Sequence, residues 1–170
     1  MGGQQGTEAT GCTMQLPALP PDIEFARLPS TTEGFRFSFE VKRAALGPYI
    51  VERWGWDEAV QRGIHEARLA EKPFFEIRRA GEAVGTVSVL RHADHIRFGE
   101  FYLWPAQQGH GLGTRILRHC LSLADEQGIP VRLENLKWNP VGSLYRRHGF
   151  VVIGESEIHW FMERQPSAKM

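Results

Sequence analysis

Apolar positions recur with a period of two at Ile23, Phe25 and the nearby Ala26 and Leu28, which predicts a short strand closed by Pro29 and the cap-type residues Ser30, Thr31 and Thr32. Phe35, Phe39, Val41 to Lys42 and Leu46 then fall at helical spacing up to Gly47-Pro48, with Tyr49 to Arg53 as a short helical turn beyond. The alternation Phe35-Arg36-Phe37-Ser38-Phe39 fits a strand as well, so both assignments stay open there, with helix preferred. Asp57 caps a second helix running to about Leu69, and Lys72-Pro73 ends it. Phe74 to Arg79, Val84 to Leu90 and His95 to Leu103 are three consecutive extended segments, the first pair joined through Ala80-Gly81-Glu82, which predicts an antiparallel meander ending at Trp104-Pro105.

Downstream, Leu112, Ile116, Leu117, Cys120, Leu123 and Ala124 form a helical stripe that Gly128 stops before a strand at Val131 to Leu136. Asn139 as cap and Pro140 in the first turn open a last helix, closed by His148-Gly149, and Phe150 to Ile153 and Ile158 to Met162 finish as strands. Residues 1–21 are rich in Gly, Gln, Thr and Pro with little to bury, and are expected as a disordered tail. Residues 22–165 are then one domain and 166–170 a short C-terminal tail, in keeping with a chain of 170 residues.

Twenty Lys and Arg balance twenty Asp and Glu, so no excess field attracts a polyanion and nucleic acid is not an expected partner. No apolar run reaches the ~20 residues of a membrane span, so no membrane association is expected. The two cysteines, Cys12 and Cys120, show no CxxC or zinc-type spacing, which fits a reduced, cytoplasmic setting. The closest histidines, His92 and His95, would share a face only on a helix, whereas their setting reads as turn and strand, and no metal is expected.

The segment that carries chemistry is Gln108-Gly109-His110-Gly111-Leu112-Gly113. Three glycines at alternate positions let the backbone approach a ligand just before a helix begins. The amide hydrogens and dipole of that helix start then suit a pyrophosphate. No Lys-Ser or Lys-Thr follows as a Walker loop requires, and the third glycine comes one place too early for a dinucleotide fingerprint. A glycine-rich turn that only starts the helix is the structural alternative.

This hexapeptide, preceded by Leu103-Trp104-Pro105, resembles the Gln/Arg-x-x-Gly-x-Gly/Ala signature of the GNAT superfamily of N-acetyltransferases. Asn139 to Phe150, an Asn-initiated helix carrying Leu144-Tyr145 and ending in Gly149-Phe150, is similar to that family's second signature. The resemblance spans about Ile23 to Arg164 in element order. It implies an α/β (α+β) GNAT fold, a mixed, mostly antiparallel sheet of six or seven strands flanked by helices and splayed between strands 4 and 5, counted from Ile23. It further implies that the backbone at Leu103 pairs with the pantetheine arm of acetyl-CoA, while Gln108, Gly109, His110, Gly111, Leu112, Gly113 and Thr114 surround the pyrophosphate. Asn139 is divided between helix cap and coenzyme ligand. Tyr145 is the implied proton donor to the departing thiolate, against a packing role on its helix.

An ammonium cannot attack a thioester, so a base or a base-ordered water is needed. Glu100, three residues before Leu103, is the first candidate and Glu134 the alternative. Trp54 and Trp56 are candidate walls of the acceptor site, with core packing equally open, and His159-Trp160 stand similarly. The resulting expectation is acetyl transfer to a primary amine by direct attack through a tetrahedral intermediate, with no role for Cys120 as nucleophile. The acceptor is a small-molecule or peptide amine and a homodimer is implied as possible by the resemblance. A non-catalytic acyl-CoA-binding or sensing module of the same fold is the competing expectation.

Overall fold

The computed structural model describes residues 12–168. Strands β1 (Cys12–Thr13), β2 (Ile23–Arg27), β3 (Phe74–Arg79), β4 (Glu82–Arg91), β5 (Ile96–Leu103), β6 (Val131–Leu136), β7 (Val151–Glu155) and β8 (His159–Arg164) form one sheet. Its spatial order is β2-β3-β4-β5-β6-β8-β7, with β1 added alongside β4. Each neighbouring pair is antiparallel except β5 and β6, which run parallel. Parallel neighbours need a crossover, and α3 (Leu112–Gln127) supplies it.

The parallel pair is short. Register holds at Ile96↔Val131 and Arg97↔Arg132 and stops there. Just beyond, Tyr102 faces Thr86 while Gly99 faces Ser88, so Glu100 and Phe101 together oppose Val87 alone. Such a bulge bends a strand and increases its twist, which carries the C-terminal half of β5 away from β6. The sheet therefore opens as a wedge between the fourth and fifth predicted strands.

Alternation along the strands divides the molecule into layers. Phe75 and Ile77 of β3 join the main core with α3, whose stripe Leu112, Ile116, Leu117, Cys120, Leu121 and Ala124 is buried. Phe74 points the other way and meets the His65 ring of α2 (Glu58–Glu71) edge-on at 5.7 Å. There α1 (Thr32–Trp54) and α2 cover the second face, with Phe39 of α1 also against His65.

Three expectations need correction, while the preferred helix at Phe35–Phe39 holds. The helix and following turn expected on either side of Pro48 are one element, α1, capped by Thr31 accepting from the Gly34 amide at 3.1 Å. A proline inside a helix removes one backbone donor but spares the rest, and the buried side chains Phe39, Val41 and Ile50 hold α1 down on both sides of it. The last helix, α4 (Gly142–Arg147), begins three residues after Asn139, because Asn139 to Val141 form a tighter turn in which the Gly142 and Ser143 amides donate to Asn139 and Pro140. Residues 12–21, expected within a disordered tail, instead lie on the sheet: β1 pairs with β4, and Met14 and Leu16 are buried in the main core. The carbonyls of Pro17 and Pro20 bond His119 at 2.8 Å and Arg115 at 3.2 Å, so this segment satisfies polar backbone as well as burying apolar surface. The expected tail over residues 1–11 lies outside the described residues.

Among the described residues no helix is long and apolar enough to cross a membrane.

Candidate active site

Two cavities meet in the wedge between β5 and β6. One, of about 420 Å³, runs from the glycine loop to the start of α4, and the other, of about 330 Å³, lies deeper between the sheet and the α1–α2 layer. Phe101, Tyr102, Asn139 and Val141 line both.

The outer cavity gathers Leu103, Gln108, Gly109, Gly111, Gly113, Thr114 and Asn139 from the candidate set. Gly109 and Gly111 have φ +80° and +82°, a conformation glycine adopts without strain, and with them the loop turns into α3. Gly111 caps α3 with no side-chain hydrogen bond, so the amides of Leu112, Gly113 and Thr114 begin the helix without intrahelical partners. Those amides and the positive end of a 16-residue helix suit phosphate oxygens.

Gln108 also has a local role, since its Nε2 donates to the Leu103 carbonyl at 2.9 Å and ties the loop to the end of β5. The Trp104 amide bonds Val84 on β4, so by strand alternation the Leu103 N–H, on the same side as that captured carbonyl, faces the wedge. Leu112 lines neither cavity: its side chain is buried in the main core, leaving only its backbone available to a ligand. His110 lies on the exposed loop outside the cavity lining. Asn139 Oδ1 accepts from the Val141 amide at 3.1 Å, which holds the turn ahead of α4, and the residue borders both cavities.

Glu100 is on the inner cavity, at the bulge, with φ +46°, a strained value for a side-chain-bearing residue. Thr86 Oγ1 holds the Glu100 carbonyl at 2.9 Å. Its carboxylate is almost wholly buried. Oε1 lies 3.2 Å from Lys72 Nζ and 4.0 Å from Arg68 Nε, and Oε2 has no hydrogen-bond partner among the described residues. Burial favours the neutral acid, but the charges of Lys42, Lys72 and Arg68 outweigh it and hold the carboxyl below its ordinary range.

Tyr145 is buried and packs edge-on against Phe98 at 6.3 Å and Phe150 at 5.6 Å. Both the packing and cavity placements hold together, because the residue lines the inner cavity and its hydroxyl makes no hydrogen bond among the described residues. Burial raises the phenol pKa, so it keeps its proton. Cys120 is buried with its thiol pushed up to about 12, which leaves little thiolate for nucleophilic attack.

Glu134 lines the same cavity, 3.8 Å from Arg97, and is more exposed than Glu100. The tryptophans separate. Trp54 lines the cavity and stacks edge-on with Trp138 at 4.8 Å, whereas Trp56 is absent from the lining and packs on Phe39 and Arg43. Gly55, with φ +73°, ends α1 between them and redirects the chain, which corrects the pairing of the two indoles as acceptor walls.

No motif singles out Lys42, Arg68, Lys72 or Arg97, all of which line the inner cavity. A signal for Lys42 does exist: it continues the stripe Phe35, Phe39, Leu46 at helical spacing, where an apolar side chain is the ordinary occupant.

The family description "Acetyltransferase (GNAT) domain" matches residues 70–152. Among solved structures, the PaiA N-acetyltransferase from Thermoplasma acidophilum in complex with coenzyme A is similar, with 18% identity, TM-score 0.65, and coverage of 85% of this chain and 99% of that one. The ribosomal-protein-S18-alanine N-acetyltransferase from Escherichia coli has 15% identity and TM-score 0.61 over 87% and 96%. The N-acetyltransferase PseH from Campylobacter jejuni has 15% identity and TM-score 0.59 over 86% and 100%. A search of curated protein sequences finds no match.

Proposed function

We propose, from the premise that this chain carries a GNAT acetyltransferase domain, that it is an N-acetyltransferase moving the acetyl group of acetyl-CoA directly to a primary amine. The observation that carries this reading is the ionised Glu100 carboxylate at a cavity that adjoins the glycine-loop cleft.

The residues then divide the work. The Gly109–Gly113 backbone and the first amides of α3 bind the pyrophosphate of the donor, and the Leu103 N–H faces the reacting carbonyl oxygen. Glu100, ionised, accepts the proton that the amine must lose, directly or through one water. The amine nitrogen forms the new bond to the carbonyl carbon, the carbon–sulfur bond breaks, and the Tyr145 hydroxyl donates to the departing sulfur. The inertness of Cys120 supports transfer without an acyl-enzyme.

A panel of primary amines incubated with acetyl-CoA and monitored for free thiol tests this. Amine-dependent thiol release that falls in Glu100→Gln is the expected result. Tight coenzyme binding by calorimetry with no turnover on any amine would instead identify a non-catalytic acyl-CoA-binding module.

A further inference from the structure

The inner cavity contains an unsatisfied charge. Lys42 is 95% buried, its residue exposure being 5%, yet it makes no hydrogen bond and no ion pair within 4.0 Å among the described residues. It nevertheless lines the cavity. Lys72 has Glu100 at 3.2 Å, Arg97 has Glu71 at 2.9 Å, and Arg68 has Glu71 at 3.4 Å. Lys42 alone of these four cations is left without a direct counterion. The lining holds Lys42, Arg68, Lys72 and Arg97 against Glu100 and Glu134. With Glu71, which pairs both arginines from just outside the lining, four cations face three carboxylates, an excess of one positive charge.

A lysine whose stem is buried and whose ammonium meets only the cavity is unfavourable without a partner there. The Glu100 carboxylate lines the same cavity, and the Lys42 and Glu100 charges act on each other there. Burial pulls the Lys42 ammonium below its ordinary value and Glu100 pulls it back only in part. A polyamine would add cations to this surplus. A small zwitterion complements both charges at once, its amine toward the Glu100 carboxylate through a water and its carboxylate toward Lys42 Nζ. The 330 Å³ volume suits a molecule of that size.

We propose that the acceptor is an amino acid or close analogue, a primary amine carrying a carboxylate a few bonds away, and that Lys42 is the specificity-determining residue that binds this carboxylate. The inference rests on the acetyltransferase reading and narrows its acceptor.

The test compares each L-amino acid with its amide and its decarboxylated amine, using thiol release with acetyl-CoA. The best amino acid is expected to exceed its amide and its amine by at least ~10-fold in kcat/KM, the factor for losing one charged contact. Lys42→Met keeps a similar shape, and in it the advantage should collapse through a raised KM while coenzyme affinity by calorimetry stays unchanged. Equal use of amide and acid by wild type overturns the proposal while leaving acetyl transfer intact. So does an advantage that survives in folded Lys42→Met. If no amine is turned over, the acetyltransferase reading fails first, and binding of the amino acids to the CoA-loaded protein still decides the pocket. Thermal stabilisation by an amino acid but not by its amide supports the carboxylate site, and stabilisation by neither overturns it. Should Lys42→Met not fold, the acid-against-amide comparison on wild type decides alone.

Discussion

Lys72 and Glu100 form a buried ion pair, Nζ to Oε1 at 3.2 Å, that engages only one oxygen of the carboxylate. Lys72 ends α2 and Glu100 sits at the bulge of β5, so the pair fastens the helical layer to the sheet at the point where the sheet opens. The other oxygen is covered, with the Tyr102 phenol beside the carboxylate. The same cations that hold Glu100 ionised also make it a weaker base, which favours a role in accepting a proton through a water or from an already acidified nitrogen.

Glu100→Gln is therefore expected to lower turnover by roughly 10²-fold and most severely at low pH, where the amine is hardest to deprotonate, with coenzyme affinity unchanged. It should also cost about 3 kcal/mol of stability, since Lys72 loses a buried counterion. The sign of the stability dependence follows from the lowered carboxyl: the pair's contribution is complete above the unfolded pKa near ~4.3 and disappears as pH falls through the folded value. Melting curves of wild type and Glu100→Gln between neutral pH and about pH 3 should converge. Full turnover in Glu100→Gln with collapse in Glu134→Gln would move the base to β6.

The two glycines at the start of α3 are expected to behave differently. Gly111→Val places a β-branched residue at φ +82°, a strain of about 1–3 kcal/mol that the loop can relieve only by leaving its conformation. Coenzyme affinity should fall at least ~10-fold by calorimetry with the fold retained. Gly113 has no such φ, and a Cβ there would meet Leu103 Cδ1 at 3.7 Å, ordinary contact. Gly113→Ala should bind coenzyme within about threefold of wild type, equivalent to under ~1 kcal/mol. Equal loss in both variants would mean that the close approach is at Gly113 after all.

The glycine loop and the Asn139–Phe150 segment were legible because each needs particular residues locally: glycine where φ is positive, asparagine where a turn needs a side-chain acceptor. The bulge was not. Phe98-Gly99-Glu100-Phe101-Tyr102 carries no glycine at its positive-φ position, which falls on Glu100, so the strained site gives no sign in the pattern. Trp54-Gly55-Trp56 likewise shows two indoles but not the turn that sends them to different surroundings. Lys42 and Lys72 come to the site by tertiary packing of helices 28 residues or more from Glu100 in sequence, a relation that local periodicity does not encode. Met14 and Leu16 were hidden by the Gly, Thr and Pro around them, which dominate a composition argument.

The docking of that N-terminal segment is testable through Leu16, whose side chain is buried in the main core. Leu16→Ala should destabilise the protein by about 2–3 kcal/mol, the low end for a leucine at the margin of a core, with coenzyme affinity unchanged because neither cavity includes it. A change below ~0.5 kcal/mol in chemical denaturation would show that residues 12–21 contribute no packing.

Tyr145 separates packing from chemistry within one side chain. Its ring contacts Phe98 and Phe150, and those contacts survive in Tyr145→Phe. Its hydroxyl makes no hydrogen bond among the described residues, so removing it leaves no orphaned partner, and stability should change by less than about 0.5 kcal/mol. The departing sulfur, by contrast, gains charge as the carbon–sulfur bond breaks, and the Tyr145 hydroxyl is a donor on the cavity wall with no other partner among the described residues. The kcat of Tyr145→Phe should therefore fall roughly 10²-fold with coenzyme affinity intact. Because burial raises the phenol pKa, wild type keeps this donor at and above the pH where an exposed tyrosine would ionise, near ~10. Any loss of activity at lower pH must then come from another group. Thiolates leave readily, so a slow amine substrate, for which collapse is not limiting, would mask the effect; the comparison belongs with the fastest acceptor in the panel. Wild-type kcat there, in a folded Tyr145→Phe protein, would reduce Tyr145 to the packing role its ring already fills.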